Sequence, residues 1–464
     1  MDLTDKRIGI WGLGVSGRAA LSYLSQFKCH LSVLDRTEPE EQLARELKNL
    51  SGRSFRDPDE RTAFFAANDI IIPSPGIDIA PFINQMPTIF TEVDLFYHGW
   101  QKPIIGITGS LGKTTITTFL SHLLASSCHR VATGGNIGVG MLDLLARRTE
   151  FDYAILELSS FQLERALFFA PNLAIWTNLY PNHLDRHENL ETYRNAKMFI
   201  TRHQTQGQTI LAPIEIAHFI RQTHEEQALP PRYAWFSLTE VNDNTLLQPG
   251  ESCFYFTPEG SINKKILLET STILDAIQIP GLSYRTNWLI LAAALDLLGQ
   301  DVPHIIKYGS PKLSLPNNRL ACFAHINGID FYNDSKSTIM EATLAAVNQL
   351  RPQPIHLLLG GLSKGVDRSP YLAPLAECAS ITCFGSEGET LCATCKKEGF
   401  YAHTYPDLES ALSAILGYAK PGSCILLSPG GTSFDLYKNY EERGLHFIEL
   451  AEKLTQQKNL SRSH

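Results

Sequence analysis

The stretch Thr108-Gly-Ser-Leu-Gly-Lys-Thr-Thr115 decides the fold. It follows the apolar run Ile104-Ile-Gly-Ile107 and precedes a segment of helical character from Thr114 to about Ala125. A strand that ends in a Gly-rich turn and opens into a helix is the setting of a phosphate-binding loop. Backbone N–H groups around Gly109 and Gly112 can wrap phosphate oxygens, and the helix N-terminus adds a favourable dipole. In such a loop Lys113 bridges the β- and γ-phosphates of ATP and the Thr114 hydroxyl holds Mg²⁺. Thr108, Ser110, Leu111 and Thr115 complete the cradle. The general pattern places Gly five residues before Gly112, but that position is Ile107. The loop is therefore a variant that begins Thr-Gly.

Outward from the loop, the chain alternates strands and helices. Tyr153-Ala-Ile-Leu156 predicts a strand closing on Glu157, and Leu173-Ala-Ile-Trp176 another closing on Thr177 and Asn178. A carboxylate at a strand end beside a phosphate loop is where a Mg²⁺ ligand is expected, although a strand-end Glu can also be plain structure. Upstream, Lys6 to Trp11 reads as a strand, Gly12-Leu-Gly-Val-Ser-Gly17 as a turn, Arg18 to Gln26 as a helix and His30 to Leu34 as a second strand ending on Asp35. Taken alone, this G-x-G-x-x-G turn with an acid about twenty residues on reads as a dinucleotide site. A nucleotide-sugar pyrophosphate would use the same physics. Ile70-Ile-Ile72 leads into the tight turn Pro73-Ser-Pro-Gly76. Downstream, strands are expected at 329–332, 355–359, 381–384 and 424–427, each before a polar or Gly-rich turn. Residues 201–280 give weak, mixed signals, 282–298 read as a buried helix, and the polar tail after Leu454 reads as frayed. The expectation is an α/β protein of three domains: residues 1–100 with a Rossmann-like sheet, 101–302 with a parallel-sheet ATPase-like core, and 303–464 Rossmann-like again.

Composition bounds the rest. The 464 residues are 44% hydrophobic and 19% charged, with a net charge of −8. These values suit a globular protein and argue against a nucleic-acid or membrane-surface role. Met1 to Arg7 is polar and runs straight into a strand, which predicts no signal peptide. No apolar run approaches the roughly 18 residues of a spanning helix. Nine scattered cysteines fit reduced thiols in a cytoplasmic protein. Cys392 and Cys395, with Cys378 and Cys383 upstream, leave a zinc site as the less favoured alternative. His183 and His187 stand four apart and on a helix would share a metal-binding face; a core or solvated histidine is the commoner outcome.

The loop, the Glu157 strand end, Asn182-His-Leu-Asp185 and Lys197 follow one another in the order found in the Mur ligases, which the chain resembles over nearly its whole length. The resemblance implies ATP-dependent ligation of D-glutamate to UDP-N-acetylmuramoyl-L-alanine through an acyl phosphate, by a cytoplasmic enzyme expected to be monomeric. It implies one Mg²⁺ at Thr114 and Glu157 and a second at His183 and a carbamylated Lys197, with Lys113, Glu157, His183 and Lys197 as the catalytic set. Asn287, Arg319 and Asp334 would join the loop in holding ATP. Gly14, Val15, Ser16, Asp35, Arg36, Thr37, Ser74, Gly76, Asn136 and His183 would hold the UDP substrate, with His183 and Asn136 orienting its carboxylate. Lys336, Thr338, Lys364, Ser433, Phe434 and Tyr440 would hold D-glutamate. Four positions depart from the family pattern. Ser283 and Tyr284 stand where His and Asn are usual, Asn318 replaces His before Arg319, and Leu362 occupies a place often held by Asp.

Overall fold

The computed structural model describes residues 3–37, 41, 45, 52–241, 247–280, 284–315 and 317–462, with backbone alone at 185 and 456–462. Two compact units result. One comprises residues 1–179, 191–280 and 285–313, and the other 180–190, 281–284 and 314–464.

The first unit holds two sheets. The smaller contains β1 (Arg7–Trp11), β2 (His30–Asp35), β3 (Arg53–Arg56), β4 (Ile70–Pro73) and β5 (Thr88–Ile89) in the order β3-β2-β1-β4-β5, all parallel. The larger contains β6 (Ile104–Thr108), β7 (Val131–Gly135), β8 (Tyr153–Glu157), β9 (Leu173–Trp176), β10 (Thr209–Pro213), β11 (Arg232–Ser237), β12 (Ser252–Phe256), β13 (Ile262–Ile266) and β14 (Glu269–Leu274). Its order is β14-β13-β12-β11-β10-β9-β6-β8-β7. It is parallel from β12 to β7, and β13 and β14 add an antiparallel edge. Strand β6 is buried at every position, as a parallel strand covered on both faces must be, which explains its unbroken apolar sequence. The weak signals at 201–280 resolve into β10 to β14. The edge strands β13 and β14 are half-exposed and mix polar with apolar residues, so no clean periodicity marks them.

The second unit is built on β15 (Ala321–Ile326), β16 (Ile329–Asn333), β17 (Ile355–Gly360), β18 (Ser380–Phe384), β19 (Ala402–Tyr405) and β20 (Cys424–Leu427). Their order is β15-β16-β20-β17-β18-β19, parallel except for β15 against β16. In all three sheets the chain leaves a central strand to opposite sides: from β1 to β2 and β4, from β6 to β8 and β9, and around β20. These switch points open crevices at the carboxyl ends of the strands, where the candidate residues lie.

Three expectations change. The helix after the first Gly-rich turn begins at Val15, not Arg18. The final helix, Tyr440–Arg462, carries its backbone beyond Leu454. The helix expected at 282–298 is Arg285–Leu297, its interior buried from Asn287 to Leu295; Gly281 to Ser283 lie outside the described residues. Cys392 and Cys395 are buried on the helix Gly388–Lys397. Among the described residues no group of three or more His, Cys, Asp or Glu side chains is gathered to hold a metal, so the zinc alternative gains nothing. No described helix is long and apolar enough to cross a membrane.

Asp334 lies buried behind β16. It accepts hydrogen bonds from the Ser428 hydroxyl (2.8 Å) and the Leu320 N–H (3.0 Å). Burial nevertheless pushes its carboxyl up to about 7. An unfolded Asp titrates near ~3.9. Between those values the native state keeps a proton that the unfolded chain has released, so stability falls as pH rises through this window and levels off above it. The slope is at most roughly 1.4 kcal/mol per pH unit. Asp334→Asn should lack this decline. Denaturant midpoints measured from pH 4.5 to 7.5 should converge for wild type and variant at the acid end and separate toward neutrality. Parallel curves would mean that Asp334 is not protonated in the native state.

Candidate active site

The phosphate loop is shaped by the strand end beside it. Ile107 is fully buried within β6, in register with Ile175 and Glu157. The strand continues through Thr108, and the conformation that needs glycine comes two positions later than in the general pattern. Gly109 has φ +140°, and a Cβ there would run into the Thr177 hydroxyl. Only glycine allows the loop to lie this close to the exit of β9.

Asn178, which follows β9, clamps the loop. Its Oδ1 accepts the N–H groups of Ser110 (3.1 Å) and Leu111 (2.8 Å), and its Nδ2 donates to the Leu111 carbonyl (3.1 Å). The Thr177 hydroxyl donates to the same carbonyl at 2.5 Å. The N–H groups of Ser110 and Leu111 are thus engaged by protein. Phosphate wrapping falls to the N-terminus of the helix Lys113–Ser126, where the first N–H groups have no intrahelical acceptor. Thr114 and Thr115 are buried in that first turn. Asn287 joins them, its Oδ1 about 3.0 Å from where a Cβ on Gly112 would stand.

Two lysines converge on one carbonyl. Lys113 Nζ donates to Gly109 O (2.8 Å) and Ser110 O (3.2 Å). Lys197 Nζ donates to Gly109 O (2.9 Å) and reaches Thr108 Oγ1 (3.4 Å). Lys197 is 1% exposed, and its ammonium lies over the Tyr193 ring. Burial, then the charge of Lys113, hold Lys197 well below the ordinary lysine range, with Glu157 pulling the other way. Burial also pushes Tyr193, whose hydroxyl meets Ser110, up to about 12. Glu157 is buried where β8 ends between β6 and β7. Its Oε1 accepts from Asn136 Nδ2 (3.2 Å), and its Oε2 is buried with no hydrogen-bond partner among the described residues. A buried carboxylate oxygen left without a donor costs free energy. A hard cation beside the Thr114 helix turn would satisfy it.

Asn136 connects this centre to a cavity of about 560 Å³ lined by Gly14, Val15, Ser16, Ser74, Gly76 and Asn136, among others. These candidates therefore come together. The turn above the cavity is tight: a Cβ on Gly17 would strike the Gly12 carbonyl, which also accepts the Ser74 hydroxyl at 2.9 Å. Asp35, Arg36 and Thr37 do not line the cavity. Asp35 closes on its own turn, accepting from the N–H groups of Leu13 (2.6 Å) and Thr37 (3.1 Å). Burial works against its charge, but hydrogen bonds from Leu13, Thr37 and Arg36 outweigh this and hold the carboxyl below its usual range.

In the second unit, three loops at the ends of β16, β20 and β17 carry the remaining candidates. Gly430 N–H donates to Ser337 O (3.0 Å), and Leu362 and Thr432 exchange backbone hydrogen bonds (2.9 and 3.0 Å). This stitching gathers the turns that carry Lys336 and Thr338, Lys364, and Ser433. Buried Arg443 ties the first turn to the third, donating to Ser335 O (2.7 Å), Ser335 Oγ (3.0 Å) and Gly431 O (3.1 Å). Lys336 lies over the Tyr440 ring, whereas Phe434 is 69% exposed. Lys364 Nζ donates to Asn182 Oδ1 (3.1 Å). His183 adopts a left-handed backbone, φ +57°, and precedes the short helix Leu184–His187. The alternative of a shared helical face for His183 and His187 therefore gains nothing. His187 is buried instead. Arg319 lies near enough to Asp334 for its charge to pull that carboxyl down against the larger effect of burial. Asn178, Asn182 and Arg443 are not among the candidate site residues read from the sequence, although Asn182 opens the motif Asn182-His-Leu-Asp185. Asn178 had a signal: an amide directly after a strand that neighbours the loop strand.

The Mur ligase middle domain matches residues 107–273, and the Mur ligase glutamate ligase domain matches residues 318–431. The chain is 33% identical over 452 residues to a UDP-N-acetylmuramoylalanine–D-glutamate ligase from Desulfotalea psychrophila, covering 94% of each chain. It is 30% identical to the ligase of the same name from Staphylococcus saprophyticus, covering 96% of this chain and 97% of that one. The fold is similar to that of the MurF ligase from Thermotoga maritima solved with ADP, with a TM-score of 0.59 at 15% identity over 98% and 96% of the two chains. With a relative this similar over nearly its whole length, this chain belongs to the Mur ligase family.

Proposed function

We propose that this protein joins D-glutamate to the alanyl carboxylate of UDP-N-acetylmuramoyl-L-alanine at the expense of ATP, a step of peptidoglycan precursor synthesis in the cytoplasm. The geometry that carries the reading is the convergence of Lys113 and Lys197 on the Gly109 carbonyl, beside the buried, unpartnered oxygen of Glu157. The choice of substrates follows the relatives that bear this activity in their names. The reading divides the chain at 1–100, 101–302 and 303–464 and takes it as a monomer.

In the first step a carboxylate oxygen of the UDP substrate attacks the γ-phosphorus of ATP. The bond to the β-phosphate oxygen breaks, ADP departs and an acyl phosphate remains. Two anions meet, and Lys113 with the N–H groups of its helix turn offsets their repulsion. The D-glutamate amine then adds to the acyl carbon, gives up a proton, and phosphate leaves. Gly14, Val15, Ser16, Ser74, Gly76 and Asn136 suit the UDP end, with the helix Val15–Leu24 presenting its N-terminus. Asn136, touching both this cavity and Glu157, is suited to orient the carboxylate. Asn287, Arg319 and Asp334 are assigned to ATP, and Thr338, Lys364 and Ser433, with Lys336, Phe434 and Tyr440, to D-glutamate. Thr114 and Glu157 would hold one Mg²⁺, and His183 with carbamylated Lys197 a second; bound there, the metal supplies charge neutralisation. Burial and the charge of Lys113 hold Lys197 well below the ordinary lysine range, which favours the neutral amine, the form that adds to CO₂ and loses a proton to become a carbamate.

Phosphate release measured with a panel of UDP-muramoyl substrates and amino acids tests the whole reading. D-glutamate with UDP-N-acetylmuramoyl-L-alanine should be turned over, and L-glutamate and diaminopimelate rejected. Turnover with L-alanine, L-lysine or diaminopimelate and none with D-glutamate would move the chain to another branch of the family.

Lys113→Ala should lose activity on the order of 10³-fold or more, because the transition-state charge loses a fixed cation. Near-normal turnover would remove the phosphate-loop assignment.

Lys197→Ala should be nearly inactive and partly rescued by short carboxylates added to the assay. Lys197→Arg, which cannot form this carbamate, should stay inactive. A fully active arginine variant would rule the carbamate out.

A further inference from the structure

Lys364 sits in an unusual backbone. Its φ is +55°, in the left-handed region where a residue with a Cβ is rarely found. Such a conformation persists only where its surroundings impose it. Two contacts do so on the strand side: the Leu362 backbone is bridged to Thr432 in both directions. The next residue is held from another direction. The carboxylate of Glu387, on the turn after β18, accepts both the N–H (3.1 Å) and the hydroxyl (3.3 Å) of Ser363 through Oε1. Its other oxygen, Oε2, accepts from Arg368 Nη2 at 2.6 Å. Arg368 closes the ring by donating from Nη1 to the Gly360 carbonyl (3.1 Å). The Arg368 side chain is 6% exposed and that of Glu387 34% exposed.

Buried ion pairs of this kind contribute little net stability, because desolvation offsets their attraction. Their use lies in fixing geometry. The ring Gly360–Arg368–Glu387–Ser363 spans both ends of the loop that carries Lys364. Arg368 is suited to this: its planar fork engages a carbonyl and a carboxylate at once, which a lysine ammonium on a flexible stem cannot do with the same fixed angle. Glu387 is suited as well, since a carboxylate offers two acceptor oxygens to two donor groups, whereas an amide offers one.

We propose that Arg368 and Glu387 are positioning residues for the amino-acid substrate: they fix the 360–364 turn so that the Lys364 ammonium is already placed for the side-chain carboxylate of an acidic amino acid. This rests on the assignment of Lys364 to D-glutamate given above. Neither residue touches substrate, ATP or the phosphate loop in this scheme. Their loss should therefore raise the KM for the amino acid selectively. Misplacing a binding group by about 1 Å can be costly, and we expect a rise of about tenfold or more in KM for D-glutamate.

The test is steady-state kinetics of the full-length enzyme with each of the three substrates varied in turn, for wild type, Arg368→Lys and Glu387→Gln. Arg368→Lys keeps the buried positive charge but not the two-pronged bridge. Glu387→Gln keeps the shape but turns an NH₂ group toward Ser363 or Arg368, both of which donate to the carboxylate. Each should show the selective KM rise, with KM for ATP and for the UDP substrate within about twofold and kcat within about threefold of wild type. Thermal melting identifies a variant that fails to fold, and the other variant then decides the outcome; the amide substitution keeps the shape of a residue that is partly exposed. An unchanged KM for D-glutamate, or KM values rising together for all three substrates, overturns the proposal. If the wild type uses a different amino acid, the assignment of D-glutamate falls on its own. The positioning role is then judged by the same selectivity measured with the amino acid the wild type does use.

Discussion

The centre of the first unit depends on one crowded contact, the approach of Gly109 to Thr177 where β6 and β9 end side by side. Because nothing larger than hydrogen fits there, the loop is pressed against the exit of β9. Thr177 and Asn178 can then bond its carbonyl and amides directly. The loop is built before any phosphate arrives, and it incurs no reorganisation cost when charge develops. The same contact points the Gly109 carbonyl at two lysines. One acceptor shared by two amines in a dry setting sets their charges against each other, and burial together with the charge of Lys113 holds Lys197, the more deeply buried, well below the ordinary lysine range.

The second unit solves a similar problem by different means. Its three loops come from strands that are neighbours in the sheet, and a few backbone hydrogen bonds join them. Arg443, buried in the final helix, spans the gap between Ser335 and Gly431. A buried guanidinium is acceptable only if its donors are met, and here they are met by carbonyl and hydroxyl oxygens. Burial lowers its pKa to about 10, so it stays charged at neutral pH. The arginine thus requires the loops in their places as much as the loops require the arginine. Asn333 adds a further link by donating to both Asn318 Oδ1 and the Gly444 carbonyl.

What was legible in the sequence is what local chemistry dictates. The fully apolar strands, the Gly-rich turns and the acid or amide at strand ends are written in consecutive residues, so the central strands of each sheet and the phosphate loop could be read directly, whereas β10 to β14 could not. Contacts between distant residues were not legible. Asn178 meets Leu111 across 67 positions and Arg443 meets Ser335 across 108, and no local pattern announces either. The spacing of His183 and His187 was ambiguous for a different reason. A separation of four implies a shared face only if both residues are helical, and the left-handed backbone of His183 ends that inference. Asp35 shows how one local signal fits two readings: the acid after a second strand is also the residue that closes the Gly-rich turn upon itself.

The departures from the family pattern can now be weighed by what each residue does. Leu362 contributes through its N–H and C=O, both bonded to Thr432. That pairing is indifferent to the side chain, so losing an acid there leaves the loop stitched. A carboxylate does reach the Lys364 turn, from the turn after β18, where Glu387 faces Ser363. Asn318 is likewise not idle. Its left-handed backbone, φ +60°, turns its amide oxygen toward Asn333, a conformation that Asn tolerates better than most residues. Tyr284 is drawn into the surroundings of Asp334 and Arg319, and burial raises its hydroxyl well above the ordinary range. It therefore stays a neutral phenol that can donate or accept a hydrogen bond without adding charge beside Asp334. Leu362, Asn318 and Tyr284 each stand where the neighbouring backbone or a distant partner accommodates them, and none of the three bonds to the Gly109 carbonyl that Lys113 and Lys197 share.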